Sequence, residues 1–112
     1  MKIAIPTTDR KLCMHFGHCE VFTIFVVEDN TKAIKSVKEI VPPPHEPGLL
    51  PKWLGELGVN VIVAGGMGMR AQQLFESNGV KVITGAPSED PDSVVAAYLK
   101  GTLVTGANVC DH

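Results

Sequence analysis

The stretch VNVIVAGGMG, residues 59–68, decides the fold because it joins an apolar strand to a glycine turn. Its first six residues are mostly aliphatic, which is typical of a β-strand covered on both faces. After the glycines, Ala71, Leu74 and Phe75 fall at helical spacing, and Asn78-Gly79 ends the pattern. This strand–turn–helix order predicts an α/β protein with parallel strands.

The segments on either side of this unit supply the rest of a sheet. Four further strands are predicted from apolar patterns, at residues 2–6, 21–28, 33–41 and 80–84, and Pro6 should stop the first of them. Two further helices are predicted, over residues 49–57 and after the N-cap Asp90. We therefore predict a three-layer α/β/α fold with a mixed five-stranded sheet in the order 3-2-1-4-5, in which strand 2 is antiparallel.

Composition and charge exclude several classes of protein. The 112 residues suit a single domain, residues 1–112, and the 45% hydrophobic content allows a buried core. The net charge is -2 and the sequence has no block of Lys or Arg, so it indicates no positively charged surface for binding a phosphate backbone. We therefore expect no nucleic-acid partner. The N-terminal segment lacks the apolar run of a signal peptide or a membrane span, so we expect a cytoplasmic protein with no membrane partner.

The predicted strand directions gather four connections at one edge of the sheet, which we call the rim. They are the connections over residues 7–20, 42–50, 65–68 and 85–90. Ligands of open α/β sheets favour the carboxyl ends of the strands, especially where two adjacent strands send their connections in opposite directions. In the predicted order these are strands 1 and 4. Functional residues are therefore expected at the rim.

The first rim connection contains CMHFGHC, residues 13–19, with two thiols and two imidazoles. Cys13, His15, His18 and Cys19 suit zinc, copper or iron–sulfur chemistry, whereas magnesium and calcium prefer oxygen. The five residues between the two cysteines match no standard zinc module. The alternative is that the cysteines are small buried hydrophobic residues and the histidines are ordinary polar loop residues.

Three more donors are candidates as metal ligands. Cys110 and His112 lie in an eleven-residue tail that is long enough to reach the rim, although a frayed terminus is the alternative. His45, in another rim connection, is either a ligand or a solvated side chain.

The glycine turn is a candidate anion site. The backbone N–H groups of Gly65, Gly66 and Gly68 precede a helix, where they can receive phosphate or the anionic face of a thiometallate cluster. The alternative is that these glycines only make a tight turn.

Several motifs occur together in this chain: a first strand ending in PTTD, the element His15-Phe16-Gly17, the glycine turn with Ala71, and GVKV before Gly85. In this combination the chain resembles the dinitrogenase iron–molybdenum cofactor family over nearly its whole length. The resemblance implies a ribonuclease-H-like fold. It also implies contact between a cluster and His15, with further binding by Phe16, Gly17, Gly65, Gly66 and Gly68.

The leading hypothesis is a non-catalytic protein, not an enzyme, that binds or carries an iron–sulfur, iron–molybdenum–sulfur or other thiometallate cluster. Its partners would be cluster-assembly or recipient proteins. One alternative is a zinc-binding or thiol-redox module on Cys13 and Cys19, although the chain has no C-x-x-C. Another is a metal-dependent nuclease, which would need a cluster of carboxylates that the sequence does not indicate.

Overall fold

The computed structural model describes residues 1–14, 19–44, 46 and 48–106. Within them it has a mixed sheet and three helices, which makes the fold α/β. The strands are β1 (Lys2–Thr8), β2 (Lys11–Leu12), β3 (Val21–Val27), β4 (Ile34–Ile40), β5 (Val61–Val63) and β6 (Lys81–Ile83). The helices are α1 (Leu49–Glu56), α2 (Met69–Ser77) and α3 (Pro91–Lys100).

The sheet has β1 at its centre. Its order is β4-β3-β1-β5-β6, and the two-residue β2 pairs with the end of β1. Strand β3 is antiparallel to both β1 and β4, whereas β5 is parallel to β1 and to β6. When β2 is left out and the other strands are numbered along the chain, this order reads 3-2-1-4-5.

Two apolar clusters cover the two faces of the sheet. One face, the α1–α2 face, is packed by Leu54 and Phe75, and the opposite α3 face is packed by Val94. Strand β1 contributes Ala4 to the first cluster and Ile5 to the second, because successive residues of a strand point to opposite faces. In the described part of the chain, no helix has both the length and the apolar character that crossing a membrane requires.

Two details of the sheet differ from the prediction. Strand β1 continues through Pro6 to Thr8. The Pro6 carbonyl accepts a hydrogen bond from the Cys13 N–H at 2.8 Å and therefore points away from β3. The nitrogen and the carbonyl of one strand residue point to the same side, so the Pro6 nitrogen also points away from β3. Its missing N–H therefore costs no hydrogen bond to that strand. The sheet also has a sixth strand, β2, reached through Asp9 and Arg10 at φ of 54° and 64°. Such a turn favours Gly, Asn or Asp at both positions. Because Arg10 is not a typical residue for this turn, the sequence pattern did not predict the hairpin.

Backbone contacts bring the connections after β1, β5 and β6 together at the rim. The Leu12 N–H donates to the Glu89 carbonyl at 2.8 Å, and the Gly85 N–H donates to the Gly65 carbonyl at 2.9 Å. Strand β4 also ends at this edge, because its last residue, Ile40, pairs with the rim end of β3. The predicted gathering of connections is confirmed for these segments.

A buried pair of hydroxyls ties β1 to β3 just below the rim. Thr7 and Thr23 are 2% and 5% exposed, and their Oγ1 atoms are 2.9 Å apart. Since the Thr7 hydroxyl donates to the Ile5 carbonyl at 2.9 Å, the Thr23 hydroxyl must be the donor to Thr7. Both hydroxyls are therefore satisfied inside the sheet, which fixes the end of β1 relative to β3.

Replacing Thr23 with valine should lower the free energy of unfolding by about 1 kcal/mol, because the side chain keeps its shape but loses its hydrogen bond to Thr7. Urea denaturation followed by circular dichroism measures the change. Thr105→Val, at an exposed position, is the matched control and should alter stability by less than about 0.5 kcal/mol. Unchanged stability in Thr23→Val would contradict the role of the hydroxyl pair.

Candidate functional site

The candidate site lies at the rim, where the chain leaves β1 and returns to β3. Five of the residues predicted from the sequence lie within the described segments: Cys13, Cys19, Gly65, Gly66 and Gly68. The others lie outside the described residues: His15, Phe16, Gly17, His18, His45, Cys110 and His112.

The β1–β2 hairpin fixes Cys13 at the end of β1. The Cys13 N–H donates to the Pro6 carbonyl at 2.8 Å, immediately after the paired residue Leu12. Leu12 is 1% exposed and its N–H donates to Glu89 in the connection before α3. The backbone that carries the first thiol is therefore held by both a hydrogen bond and a buried neighbour.

Cys19 is fixed on the other side of β1. The next residue, Glu20, donates its N–H to the Thr7 carbonyl at 3.0 Å and lies within 3.1 Å of the Thr8 hydroxyl. The Glu20 carboxylate in turn accepts a hydrogen bond from the Asp9 N–H at 2.9 Å. These bonds attach the segment that enters β3 to Thr7 and Thr8. The segment that carries Cys13 is attached to the adjacent residue Pro6, so the same end of β1 holds both segments.

Both thiols lie on the α1–α2 face of the sheet. Leu12 packs into the cluster on the α3 face, so the adjacent Cys13 points to the opposite face. Cys19 is partly buried and packs against the cluster on the α1–α2 face, which includes Phe22 and Met67. The fold thus brings two cysteines that are separated in sequence to one side of the end of β1.

The electrostatics of Cys19 reflect its burial and the proximity of the second thiol. Its pKa is raised from 9.0 to about 11, first by burial and second by the negative charge of a Cys13 thiolate. Backbone N–H groups of Cys19 and Thr7 act in the opposite direction. In the absence of a metal, Cys19 is therefore a neutral thiol at neutral pH.

The glycine turn lies directly against the segment that carries Cys13. Gly65 and Gly66 are buried, and a Cβ atom added at Gly65 would lie 3.0 Å from the Met14 sulfur and 3.1 Å from the Met14 Cα. Real Cβ contacts are seldom this close, so a side chain at position 65 would require Met14 to shift by a few tenths of an ångström. The close approach of Met14 therefore favours glycine at this position.

Helix α2 begins beside this turn without a side-chain cap. Gly68 is its N-cap residue and has an extended backbone, and its first turn contains no acidic residue. The first N–H groups of a helix have no partner within the helix, and they carry the positive end of the helix dipole. This end of α2 can therefore accept an anionic group placed near the thiols.

The described residues alone do not form a complete metal site. They contain no group of three or more His, Cys, Asp or Glu side chains that could hold a metal ion. The ligand set of Cys13, His15, His18 and Cys19 therefore stays a prediction, since two of its members lie outside those residues. The same finding offers no support, in this part of the chain, for the carboxylate cluster of a two-metal nuclease.

Comparison with known protein families identifies the chain. Residues 1–101 match the family described as dinitrogenase iron-molybdenum cofactor. The chain belongs to this family. An uncharacterized protein of Methanocaldococcus jannaschii, MJ0580, is 31% identical over 109 residues, which cover 92% of this chain and 89% of that protein.

Solved structures show the same fold. The crystal structure of PH0822 is 30% identical in sequence and superposes with a TM-score of 0.85 over 94% of each chain. The apo form of the orange protein from Desulfovibrio gigas has a TM-score of 0.70 over 96% of this chain and 93% of that chain. At 20% identity, this second likeness concerns the fold alone.

The site of this member of the dinitrogenase iron-molybdenum cofactor family includes residues that the sequence did not single out. Met14 packs against Gly65, and the backbone N–H of Thr7 is directed at the Cys19 thiol. Methionine is usually a packing residue and a threonine in a strand is common, so neither carries a functional signal in sequence. Their importance follows only from how close β1 lies to the glycine turn.

Alkylation of metal-free protein should report the environment of Cys19, since only the thiolate reacts with iodoacetamide. In the folded protein the rate at Cys19 should keep rising with pH towards about 11, whereas in urea it should level off near the ordinary value of 9.0. Cys13→Ser should lower the pKa of Cys19, because it removes a neighbouring negative charge. Mass spectrometry of the alkylated peptides measures these rates, and a folded-state midpoint near 9 would contradict the described burial.

Proposed function

We propose that this chain binds and carries a metal–sulfur cluster, of the iron–sulfur, iron–molybdenum–sulfur or a related thiometallate type, and that it does so without catalysing a reaction. The observation that carries the proposal is the convergence of Cys13 and Cys19 on one face of the sheet at the end of β1. Thiolates are the usual protein ligands of iron in such clusters. The cluster is then cargo, stored or delivered to assembly or recipient proteins.

The chemistry of the thiol pair fits a guest of this kind. Two thiolates near one another repel, and burial adds to the cost of their charge, as the raised pKa of Cys19 shows. A bound metal removes both costs, because coordination requires and stabilises the thiolate form. The N-terminus of α2 beside Gly65 and Gly66 is suited to the anionic sulfide face of a cluster.

Family membership supports the same conclusion. The matched family is described by the iron-molybdenum cofactor, and it covers residues 1–101 of this chain. We assign the ribonuclease-H-like fold label and the cluster contact of His15 on the basis of the family resemblance. His18 adjoins Cys19 in the sequence and is proposed as a further donor.

The alternatives differ from this proposal in their requirements. A zinc site on Cys13 and Cys19 would need two more donors but no sulfide. In a thiol-redox role Cys19 would be a poor attacking thiol, because its pKa is raised. The cluster proposal requires reduced thiols, and we therefore place the protein in a reducing compartment such as the cytoplasm.

Anaerobic reconstitution with iron, sulfide and molybdate tests the proposal. The wild-type protein should gain a visible chromophore, and Cys13→Ser, Cys19→Ser or His15→Ala should weaken its binding by at least roughly tenfold. Ser77→Ala is the control, since it changes an exposed side chain at the last residue of α2, at the opposite end of the helix from the proposed site. A colourless wild-type product, or full binding by the cysteine variants, would overturn the proposal.

A further inference from the structure

Strand β4 forms an open edge of the sheet. It pairs with β3 on one side, and none of the strands in the described part of the chain lies on its other side. Its first six residues are exposed, and its last residue, Ile40, is half-buried. An edge strand of seven residues without proline presents a row of unpaired N–H and C=O groups that another strand can bind.

The pairing of β3 shows which backbone groups of β4 face outward. The Val27 N–H donates to the Met1 carbonyl, on the β1 side of β3. Successive residues of a strand direct their backbone groups to alternate sides, so those of Val26 face β4. Val26 pairs with Ser36, which therefore turns its own N–H and C=O towards β3. The groups of Val37 consequently face outward, as do those of every second residue from it along β4.

The sequence of β4 is self-complementary about Val37. The strand reads IKSVKEI, residues 34–40, so Val37 is its central residue. When a second copy pairs antiparallel with Val37 opposite Val37, the residues on either side meet in pairs: Lys35 opposite Glu39, and Ser36 opposite Lys38. Each charged side chain then lies opposite a residue of the opposite charge or a neutral one, and a two-fold axis repeats every pair.

Other registers lack this complementarity. A two-fold axis that keeps the same face of both sheets on one side places one residue of β4 opposite itself. At Lys35, Lys38 or Glu39 the axis would set like charges against each other, which is destabilising. An axis at Ser36 would place Lys35 opposite Val37 and form no pair of opposite charges. Centring on Val37 therefore gives the best charge match, and it also overlaps the whole strand.

The side chains at the centre of β4 are available for such a contact. Val37 is 49% exposed and lies on the α3 face, because it pairs with Phe25 of that cluster. Two valines facing each other across the axis would bury apolar surface that water now covers. The Lys35 ammonium lies 3.1 Å from the Glu28 carboxylate, yet its side chain is 59% exposed. It can therefore approach a second carboxylate, that of Glu39 in the other copy.

We propose that β4 is the interface of a homodimer in which two copies pair antiparallel about Val37 and join their sheets into one. A second copy is favoured over an extended segment of another protein because its charges complement those of β4 in register. Strand β4 ends at the rim, so the antiparallel arrangement places the two rims at opposite edges of the joined sheet. Neither copy then covers the candidate site of the other, and the dimer does not depend on the proposed function.

Sedimentation velocity over a series of protein concentrations tests the interface. One strand from each copy makes a small interface, below about 1,200 Å², so we expect a dimer that dissociates at micromolar concentrations. Glu39→Lys should raise the dissociation constant at least roughly tenfold, because it sets two lysines opposite each other on both sides of the axis. Glu76→Lys makes the same charge change at an exposed position of α2, and as the matched control it should leave the dissociation constant unchanged.

A second charge variant distinguishes this register from any other dimer. Lys35→Glu should also weaken self-association, because it sets two carboxylates opposite each other. An equimolar mixture of Lys35→Glu and Glu39→Lys should form a heterodimer with an affinity close to that of the wild type, since every facing pair again carries opposite charges.

Three results would overturn the proposal. The first is a wild-type protein that stays monomeric throughout the series, which would leave β4 to an extended segment of another protein. The second is a wild-type dissociation constant in Glu39→Lys, which would place the dimer contact elsewhere. The third is a mixture of the two charge variants that associates no more strongly than either variant alone.

Discussion

The position of both thiols depends on the pairing of β1 at Thr7. This residue lies opposite Leu12 on one side and opposite Val21 on the other, so one point of the central strand holds both ends of the connection between Cys13 and Cys19. The buried hydroxyl of Thr23 ties the same point to β3. A site whose two thiols are set by backbone hydrogen bonds is preorganised, because the fold has already restricted the motion of the residues that carry the ligands.

The close packing of glycines at the rim is the second constraint. Gly65 lets the segment that carries Cys13 approach the start of α2, and Gly85 lets the chain beyond α3 approach β6. At Gly85 the close neighbour is the Gly106 backbone, which cannot move aside as a flexible side chain can, whereas at Gly65 the close neighbours are the sulfur and the Cα of Met14. The rim therefore combines partly buried thiols, the open end of a helix and backbone held at short range, a combination suited to an anionic guest bound through sulfur.

Much of this arrangement could be predicted from the sequence because it depends on local pattern. Alternating apolar residues in 21–28 and the strand–turn–helix order around Gly65 give the mixed α/β architecture and place the connections at one edge. The density of cysteine and histidine in residues 13–19 points to the first rim connection for the same reason. These are short-range features. The structure confirms the mixed α/β architecture, whereas the ligand set in residues 13–19 stays a prediction.

Other features could not be predicted because they depend on partners far away in the sequence. Whether Pro6 ends a strand depends on which side of β1 its nitrogen faces, and that is set by Cys13 and β3. The tight packing at Gly65 depends on Met14, and the clash that excludes a side chain at Gly85 depends on Gly106. No periodicity or spacing reports such contacts.

The central claim is that Cys13 and Cys19 jointly hold a metal–sulfur guest. The most direct measurement is the content of metal and acid-labile sulfide per chain in protein purified without air, compared with the double variant Cys13→Ser/Cys19→Ser. The account predicts iron or molybdenum together with sulfide in the wild type and loss of both in the variant. Zinc without sulfide, or the same metal and sulfide content in both proteins, would contradict it.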